Sequence, residues 1–259
     1  MTTTTTPTFK RVWMITGASR GIGASITAAA LAHGDAVVAT ARNAAAITER
    51  FGRIDVLVNN AGYGLLGAVE EASADEVRRL YETNVFGLLN VTRAVLPQMR
   101  ERRAGHVINI SSLGGYRSVA GFGVYCSTKF AVEGLTEALH AELAPLGIHA
   151  TVVEPGYFRT EFLEGQSLVT SPRVLDDYAA SAGRLREAAK QISLNQPGDP
   201  ERLAQAMLTL VEASDPPLRL PLGTDTLQAL ADKHAFVERE TAQWRDVVAS
   251  TDFPKLQAA

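Results

Sequence analysis

The residues of this chain best suited to acid–base chemistry lie close together near its middle. Tyr125 is followed four positions later by Lys129, in the run Tyr-Cys-Ser-Thr-Lys, and Ser112 precedes the tyrosine by thirteen positions. A free phenol has a pKa of about 10 and is a poor acid or base near neutrality, but a nearby ammonium favours the phenolate. Because residues four apart share one face of a helix, the spacing predicts a proton-transfer pair in which Lys129 acts on Tyr125.

The residues after the tyrosine support such a helix, since the segment 128–139 has a helical apolar period. Tyr-x-x-x-Lys alone is short enough to occur by chance. It would then describe a half-exposed tyrosine and a solvated lysine on a helix surface. Further motifs elsewhere in the chain favour the catalytic interpretation.

A glycine-rich turn comes directly after the first predicted strand. The run Thr16–Gly23 reads Thr-Gly-Ala-Ser-Arg-Gly-Ile-Gly and leads into a helical pattern. Glycines let such a turn close and let its backbone approach a pyrophosphate at the helix N-terminus. The spacing is Gly-x-x-x-Gly-x-Gly rather than the general Gly-x-Gly-x-x-Gly. A plain strand-to-helix connection is the alternative, but the position after the first strand favours a dinucleotide site.

Short apolar runs alternate with helical patterns along the whole chain. Strands alternating with helices predict a parallel sheet covered on both faces. We therefore expect an α/β fold, a Rossmann-type doubly wound parallel sheet, in a single domain over residues 10–259 after a flexible lead-in at 1–9. A helical stretch is predicted over 73–99 with a break near Pro97. The predicted strands are 12–15, 36–40, 54–58, 106–110, 149–153 and 218–222.

Composition narrows the classes of function. The 259 residues are 46% hydrophobic and 20% charged, with a net charge of −3 and no dense basic run, which argues against nucleic acid as a partner. The single cysteine, Cys126, cannot form an internal disulfide. Neither an apolar run long enough to cross a membrane nor the apolar core of a signal peptide is found. The five histidines do not cluster at ligand spacing, so no metal site is predicted. These features predict a cytoplasmic protein without membrane association.

Taken together, the motifs resemble those of the short-chain dehydrogenase/reductase family. They fall in the family's order and cover about residues 11–160. The stretch 113–127 and the run from Pro155 to Thr160 most resemble the steroid- and retinol-dehydrogenase-like branch. The matching motifs are the turn at 16–23, Asn-Asn-Ala-Gly at 59–62, Asn84 in Asn-Val-Phe-Gly, Ser112, Tyr125, Lys129, Pro155-Gly156 and Thr160.

The resemblance implies a nicotinamide cofactor and an alcohol or carbonyl substrate. Tyr125 would be the general acid/base and Ser112 would hydrogen-bond the substrate oxygen. Lys129 would lower the pKa of Tyr125 and hold the nicotinamide ribose, with Asn84 holding a water behind it. Asn59 and Asn60 would line the adenosine side, and Thr160 would meet the carboxamide. The implied cofactor-binding residues are Gly17, Ser19, Arg20, Gly21, Ile22, Gly23, Arg42, Asn59, Asn60, Ala61, Gly62, Tyr125, Lys129, Pro155, Gly156, Phe158 and Thr160.

Charge near the glycine turn bears on the choice of cofactor. An acidic residue about 20 positions after such a turn usually binds the adenosine ribose 2′-hydroxyl, but that count from Gly21 reaches Ala41. Arg42 follows at once, and Arg20 lies in the turn itself. A guanidinium suits a 2′-phosphate through bidentate bonds. We expect NADP, with NAD as the alternative; two solvated surface arginines are the competing explanation.

One departure from the family pattern is large. Between Arg42 and Phe51 the sequence has no room for the usual helix, third strand and further helix. This edge-strand region is thus shortened or missing, which puts the adenine pocket in doubt but not the catalytic residues. It is either a genuine deletion or a place where the sequence omits residues of the natural chain. An unpaired edge strand is costly, which favours the second explanation and a chain break near Asn43–Ala44. The strands at 36–40 and 54–58 should flank the first strand.

Residues near the motifs bear on the substrate. In this family the segment after Pro155-Gly156 tends to cover the substrate, so we expect a lid at about 157–197 and an apolar alcohol or carbonyl compound. Some of these side chains would instead only pack the lid. The apolar and aromatic residues concerned are Leu113, Tyr116, Val119, Phe122, Tyr157, Phe158, Phe162, Leu163 and Leu168.

Assembly and the alternative function complete the predictions. The family often pairs its Asn84 and Tyr125 helices across two-fold axes, so a homodimer or homotetramer is expected. The alternative function is a dinucleotide-binding regulatory protein with little or no turnover, although Ser112, Tyr125, Lys129 and Asn84 are all present. A C-terminal helix is expected to pack on the body of the domain, or else on a neighbouring subunit, through Leu227, Leu230, His234, Val237, Trp244 and Val248.

Overall fold

The computed structural model describes residues 9–39 and 49–253, and its main feature is a six-stranded parallel sheet. The order of its strands is β2-β1-β3-β5-β6-β8, and a separate parallel pair joins β4 to β7. The strands are β1 (Val12–Ile15), β2 (Ala36–Ala39), β3 (Val56–Asn59), β4 (Gly64–Leu66), β5 (Gly105–Ile110), β6 (Ile148–Pro155), β7 (Leu168–Thr170) and β8 (Arg219–Leu222).

Helices cover both faces of the sheet. Trp13 and Ile15 of β1 pack with α1 and α6 on one face, while Val12 and Met14 pack with α3 and α4 on the other. This alternation of buried side chains is expected of a parallel sheet with two covered faces, and it confirms the predicted doubly wound α/β fold. The helices are α1 (Gly21–Ala32), α2 (Ala74–Tyr81), α3 (Leu88–Arg102), α4 (Gly123–Leu143), α5 (Arg184–Ile192), α6 (Pro200–Glu212), α7 (Thr224–Gln243) and α8 (Arg245–Ala249).

The predicted break at Pro97 is wrong. Helix α3 continues through Pro97 to Arg102, because Val95 and Met99 are completely buried against the sheet and hold the helix across the missing hydrogen bond. The interruption lies earlier instead, at a π-helical turn over Glu82–Gly87. Such turns place an extra residue in a helix and often mark functional sites, and this one carries Asn84.

The edge of the sheet agrees with the shortened sequence. Strand β1 pairs with β2 on one side and with β3 on the other, as predicted. Within residues 9–39 and 49–253, β2 is the last strand on its side. The predicted break near Asn43–Ala44 and the placement of Arg42 lie outside the described residues. None of the helices in these two ranges combines the length and apolar composition that a membrane span requires.

Residues 156–199, between β6 and α6, leave the main sheet and include the segment predicted to be a lid, and the base of this segment is pinned. Gly198 N donates to Tyr157 O (2.9 Å) and Arg159 N donates to Gly198 O (2.8 Å). The pairing of β4 with β7 ties the lid to the body. Glu71, almost fully buried, accepts hydrogen bonds from Leu175 N (2.9 Å) and from the Arg186 guanidinium.

The predicted packing of the C-terminal helices on the body is found only in part: Leu230 is half-buried and His234 contacts the Tyr116 hydroxyl, but the other predicted residues lie at the surface. Leu227 is 57% exposed, Val237 46% and Trp244 63%. Only Thr226 and Ala229 of α7 are buried. The apolar period therefore describes an exposed face rather than part of the core.

Candidate active site

The glycine turn has the shape of a cradle for an anion. Gly17 and Gly21 adopt left-handed backbone conformations (φ +64° and +52°), which other residues adopt at a cost. A Cβ on Gly23 would lie 2.3 Å from Gly17 O, so α1 packs tightly against the turn. Arg20 at the N-cap of α1 makes no side-chain cap bond, and the first helical turn holds no acidic residue. The helix N-terminus thus has backbone N–H groups and positive potential suited to a pyrophosphate.

Asn60 fastens this turn to the end of β3. Its side-chain amide donates to Thr16 O (3.1 Å) and to Gly17 O (2.9 Å). The Thr16 hydroxyl oxygen in turn accepts from Asn60 N and Ala61 N, both at 3.0 Å. The asparagine therefore shapes the cradle through its side chain, a role in addition to lining the site.

Asn59 does not lie where the family resemblance implied. It is 3% exposed, and its amide donates to Thr92 Oγ1 (2.9 Å) and Asn109 Oδ1 (2.8 Å). Asn109 continues the network to Thr136 (2.9 Å). Because successive residues of a strand point to opposite faces, Asn59 faces helices α3 and α4 while the chain turns toward the site only at Asn60. Its role is to tie these helices to the sheet.

The predicted acid–base residues come together beside the C-terminal ends of β3 and β5. Helix α4 carries Tyr125 and Lys129, and Ser112 follows β5. The Lys129 ammonium donates to Ile110 O (2.9 Å) and lies 5.9 Å from the centre of the Tyr125 ring. The Ser112 hydroxyl accepts from Gly114 N (3.0 Å).

Asn84 lies next to this group. Its side chain accepts from Tyr63 N (3.1 Å) and donates to Tyr63 O (2.9 Å) and to Thr128 Oγ1 (3.1 Å). A Cβ on Gly62 would lie 3.1 Å from Asn84 Oδ1 and 3.6 Å from Lys129 Nζ. Gly62 therefore separates the amide from the ammonium, and only a glycine leaves that space open.

Burial is the largest influence on the pKa values of Tyr125 and Lys129. It raises the pKa of Tyr125 above its usual value, and the contact with Ser112 only partly opposes this. Burial also lowers the pKa of Lys129 to about 8, with Glu133 acting in the opposite direction. The predicted net lowering of the Tyr125 pKa by Lys129 is therefore wrong: burial is the largest effect on the phenol, and the Lys129 ammonium donates to Ile110 O.

A cavity of about 460 Å³ joins the glycine turn to the acid–base residues. Tyr116 and Leu168, two of the predicted substrate residues, are not in its wall, and neither are Gly23, Asn59 and Asn84. The predicted residues that line it are Gly17, Ser19, Arg20, Gly21, Ile22, Asn60, Ala61, Gly62, Ser112, Leu113, Val119, Phe122, Tyr125, Lys129, Pro155, Gly156, Tyr157, Phe158, Thr160, Phe162 and Leu163.

The sequence analysis missed several residues of this wall, among them Thr83, Arg117, Cys126 and Gln196. Cys126 is signalled by its position next to Tyr125. Gln196 carries no such signal, because only the return of the lid at Gly198 brings it to the site. Its amide donates to Thr160 O (3.3 Å), while its buried Oε1 has no hydrogen-bond partner in the described part of the chain.

Comparison with known proteins finds similarity to short-chain dehydrogenases. The family model for short chain dehydrogenases matches residues 44–168. Oxidoreductase BOA17 of Botryotinia fuckeliana is 34% identical, with 92% of this chain and 97% of that protein aligned. Human 17-beta-hydroxysteroid dehydrogenase type 1 is 37% identical over 70% of this chain and 57% of its own. The crystal structure of a short-chain dehydrogenase from Streptomyces avermitilis is 41% identical, with a TM-score of 0.86 over 93% of this chain and 98% of that one.

The chain belongs to the short-chain dehydrogenase family, as the sequence motifs predicted. The match to a steroid dehydrogenase confirms the resemblance to that branch. The alignment with the Botryotinia protein spans 269 positions but takes in 92% of 259 residues, which is about 238, so about 31 of its positions have no counterpart in this chain. That difference agrees with a chain that lacks residues which the Botryotinia protein has.

Proposed function

We propose that the protein is an NADP-dependent oxidoreductase that transfers a hydride between the nicotinamide and an apolar alcohol or carbonyl compound. The observation that carries the proposal is that the anion cradle and the group Ser112, Tyr125 and Lys129 open into one cavity. A cradle alone would suit any dinucleotide-binding protein. An acid–base group that shares its cavity is what an alcohol–carbonyl interconversion requires.

The residues that line the cavity suit the successive parts of a nicotinamide dinucleotide. Gly17, Arg20 and Gly21 would hold the pyrophosphate and Ala61 the adenosine side, while Thr160 would meet the carboxamide. When bound, the cofactor supplies or accepts the hydride. The residues of the chain then have the tasks of binding, orienting and moving a proton.

Tyr125 is the proposed proton donor in reduction. Its raised pKa keeps the phenol protonated near neutrality, so it is ready to give its proton to a carbonyl oxygen. The Ser112 hydroxyl lies at the same end of the cavity and would stabilise charge developing on that oxygen. Lys129 is the nearby cation that favours the phenolate left behind, and Asn84 would hold the next member of a proton relay.

The preference for NADP rests on charge. Arg20 lines the cavity within the glycine turn, and the first turn of α1 contains no acid that would repel a phosphate. Arg42, the other proposed partner of the 2′-phosphate, lies outside the described residues. Ala41 stands where an NAD-binding protein usually has an acidic residue.

An apolar substrate is proposed from the walls beyond the tyrosine. The rings of Phe122 and Phe162 lie with their centres 5.7 and 5.8 Å from that of Tyr125, and Val119 and Leu163 continue the surface. Apolar walls around a few polar groups are typical of sites that bind apolar small molecules. The lid supplies Phe162 and Leu163.

A homodimer or homotetramer is also proposed. Phe86 of the π-helical turn is 47% exposed and Phe130 of α4 is 44% exposed. Both therefore lie on the surfaces that the family often pairs across two-fold axes. Contact between copies would cover these rings.

A screen of apolar ketones, aldehydes and alcohols tests the proposed function. NADPH or NADH oxidation, and the reverse reaction, would be followed by absorbance, alongside a titration of each cofactor. We expect turnover with NADPH on at least one apolar carbonyl compound. Tight cofactor binding without turnover in either direction would instead favour a dinucleotide-binding regulatory protein, for which the shortened region after β2 is the one favourable observation.

A further inference from the structure

The helix face that carries the acid–base pair continues for one more turn. Tyr125, Lys129 and Glu133 are spaced four apart on α4, so their side chains form one row. The row faces the residues that leave β5. Lys129 contacts Ile110 O (2.9 Å), and the next residue of the row, Glu133, lies near the hydroxyl of Ser111.

Glu133 is buried in close contact with this segment. It is 5% exposed, and a Cβ on Gly115 would lie 2.8 Å from Glu133 Oε1 and 2.3 Å from Ser111 Oγ. Neither of those two oxygens has a hydrogen-bond partner within the described ranges. Since Glu133 Oε1 makes no hydrogen bond there, this oxygen can affect neighbouring groups only through its charge.

Glu133 lies in a cluster that holds more carboxyl groups than guanidinium groups. Arg219 of β8 contacts Glu133 and Glu137 of α4, and it donates to Glu154 of β6 at 2.8 Å. Three carboxylates thus share one guanidinium. On the far side of Arg219, α7 brings Lys233, His234 and Glu238 to the same groove, beside Tyr116, whose ring lies under Arg219 and whose hydroxyl contacts His234.

Lys129 needs such a charge. Lys129 is 6% exposed, and its ammonium donates to a neutral carbonyl, that of Ile110. A buried ammonium with only neutral partners tends to lose its proton, whereas a carboxylate nearby favours the charged form. Glu133 is the carboxylate one helical turn away on the same face.

We infer that Glu133 is a positioning residue that keeps Lys129 in its charged form, through the carboxylate that it presents one turn further along the same face of α4. The inference rests on the proposed function for its catalytic meaning, since a charged Lys129 matters there for Tyr125. It is consistent with the titration of the lysine, on which Glu133 acts against burial. Burial and the neighbouring Glu154 also raise the pKa of Glu133, to about 7, so its charge acts on Lys129 above that pH, in the range below the lysine pKa of about 8.

The direct test is the pKa of Lys129 in the full-length protein. The chain has five lysines, so a protein labelled with ¹³C at lysine Cε gives few signals, and Lys129→Arg assigns the one of interest. Glu133→Gln removes the charge but keeps the shape and the contact with Arg219. The matched control is Glu137→Gln. Glu137 also contacts Arg219 and lies on the same helix, but one turn further from Lys129.

We expect Glu133→Gln to lower the pKa of Lys129 by about one unit or more, the smallest effect usual for a close opposite charge. Glu137→Gln should lower it by less than about a third as much, because its side chain is 53% exposed and screened by water. The alkaline limb of the pH profile of turnover should move to lower pH by the same amount in Glu133→Gln. An unchanged Lys129 pKa, or equal shifts in the two variants, would overturn the inference.

The inference stays testable if Glu133→Gln fails to fold and if the protein shows no turnover. If Glu133→Gln does not melt cooperatively, Glu133→Asp replaces it; its carboxylate is withdrawn by one methylene, so a smaller fall in the Lys129 pKa is expected, and no fall would count against the inference. The titration needs no turnover. A protein that turns over no alcohol or carbonyl compound would therefore refute the proposed function while the Lys129 pKa still decides this point.

Discussion

Replacing Tyr125 by phenylalanine removes the proposed proton donor and little else. The change deletes one hydroxyl group and keeps the ring, which packs against Phe122 and Phe162 with centres 5.7 and 5.8 Å away. General acid–base catalysis contributes about 10²- to 10⁴-fold in rate. We therefore expect turnover to fall at least about 100-fold, which corresponds to about 2.7 kcal/mol of transition-state stabilisation.

Folding and cofactor binding should change far less. The lost hydroxyl contacts Ser112, which keeps its hydrogen bond with Gly114 N. One hydrogen bond contributes about 1 kcal/mol net, so Tm should fall by no more than about 4 °C for a domain of this size. NADPH affinity should weaken by less than about tenfold.

The assay compares steady-state turnover, NADPH titration and thermal melting in the two proteins. Tyr81→Phe is the matched control, because it removes a hydroxyl that donates to Ser127 Oγ (2.9 Å) on α4 but lies outside the cavity wall. That variant should keep nearly all activity. If Tyr125→Phe retained more than a tenth of wild-type turnover, the assignment of Tyr125 as proton donor would be wrong.

Three further changes test the cofactor site and the assembly. Arg42→Ala should weaken NADPH binding much more than NADH binding, since only the former carries a 2′-phosphate; equal losses would exclude that role. Gly23→Ala should abolish binding of both cofactors in a titration, because its Cβ would lie 2.3 Å from Gly17 O, whereas Gly134→Ala, with nothing within 4 Å, should have no effect. Light scattering at micromolar concentration should give at least twice the chain mass of 27.7 kDa, and a monomeric mass would contradict the expected oligomer.

The sheet was predictable because buried parallel strands are short continuous apolar runs. Strand β1 occurs at the predicted residues, and β3 begins two residues later than predicted because Ile54 is buried but not paired in the sheet. Ser112, Tyr125 and Lys129 were predictable because their spacing places them at a strand end and on one helix face. Local patterns of this kind depend only on neighbouring residues.

The errors concern long-range packing. Pro97 is a helix breaker in isolation, but two buried neighbours hold α3 together across it. The apolar residues of α7, and Trp244 directly after it, have a helical period whether or not anything covers them. Packing on the body, the first of the two predictions, is therefore wrong for Val237 and Trp244, while packing on a neighbouring subunit stays a prediction. Asn59 was assigned by its motif, yet the face of β3 on which it lies is set by the sheet. Gln196 has meaning only through residues far away in the chain. Glu133 lies four residues from Lys129, but its contacts with Glu154 and Arg219 also depend on distant parts of the chain.

The pinned base of the lid has a consequence for how new substrate ranges arise. Because Tyr157, Arg159 and Gly198 close the lid at its two ends with backbone hydrogen bonds, residues 160–197 form a segment whose length matters little to the sheet. Doubling the length of a flexible loop costs only about 0.6 kcal/mol. Insertions or deletions that leave β7, Leu175 and Arg186 in place can therefore exchange Phe162, Leu163 and their neighbours without redesigning the six-stranded sheet. Substrate recognition by this segment and the folding of the six-stranded sheet can therefore evolve separately.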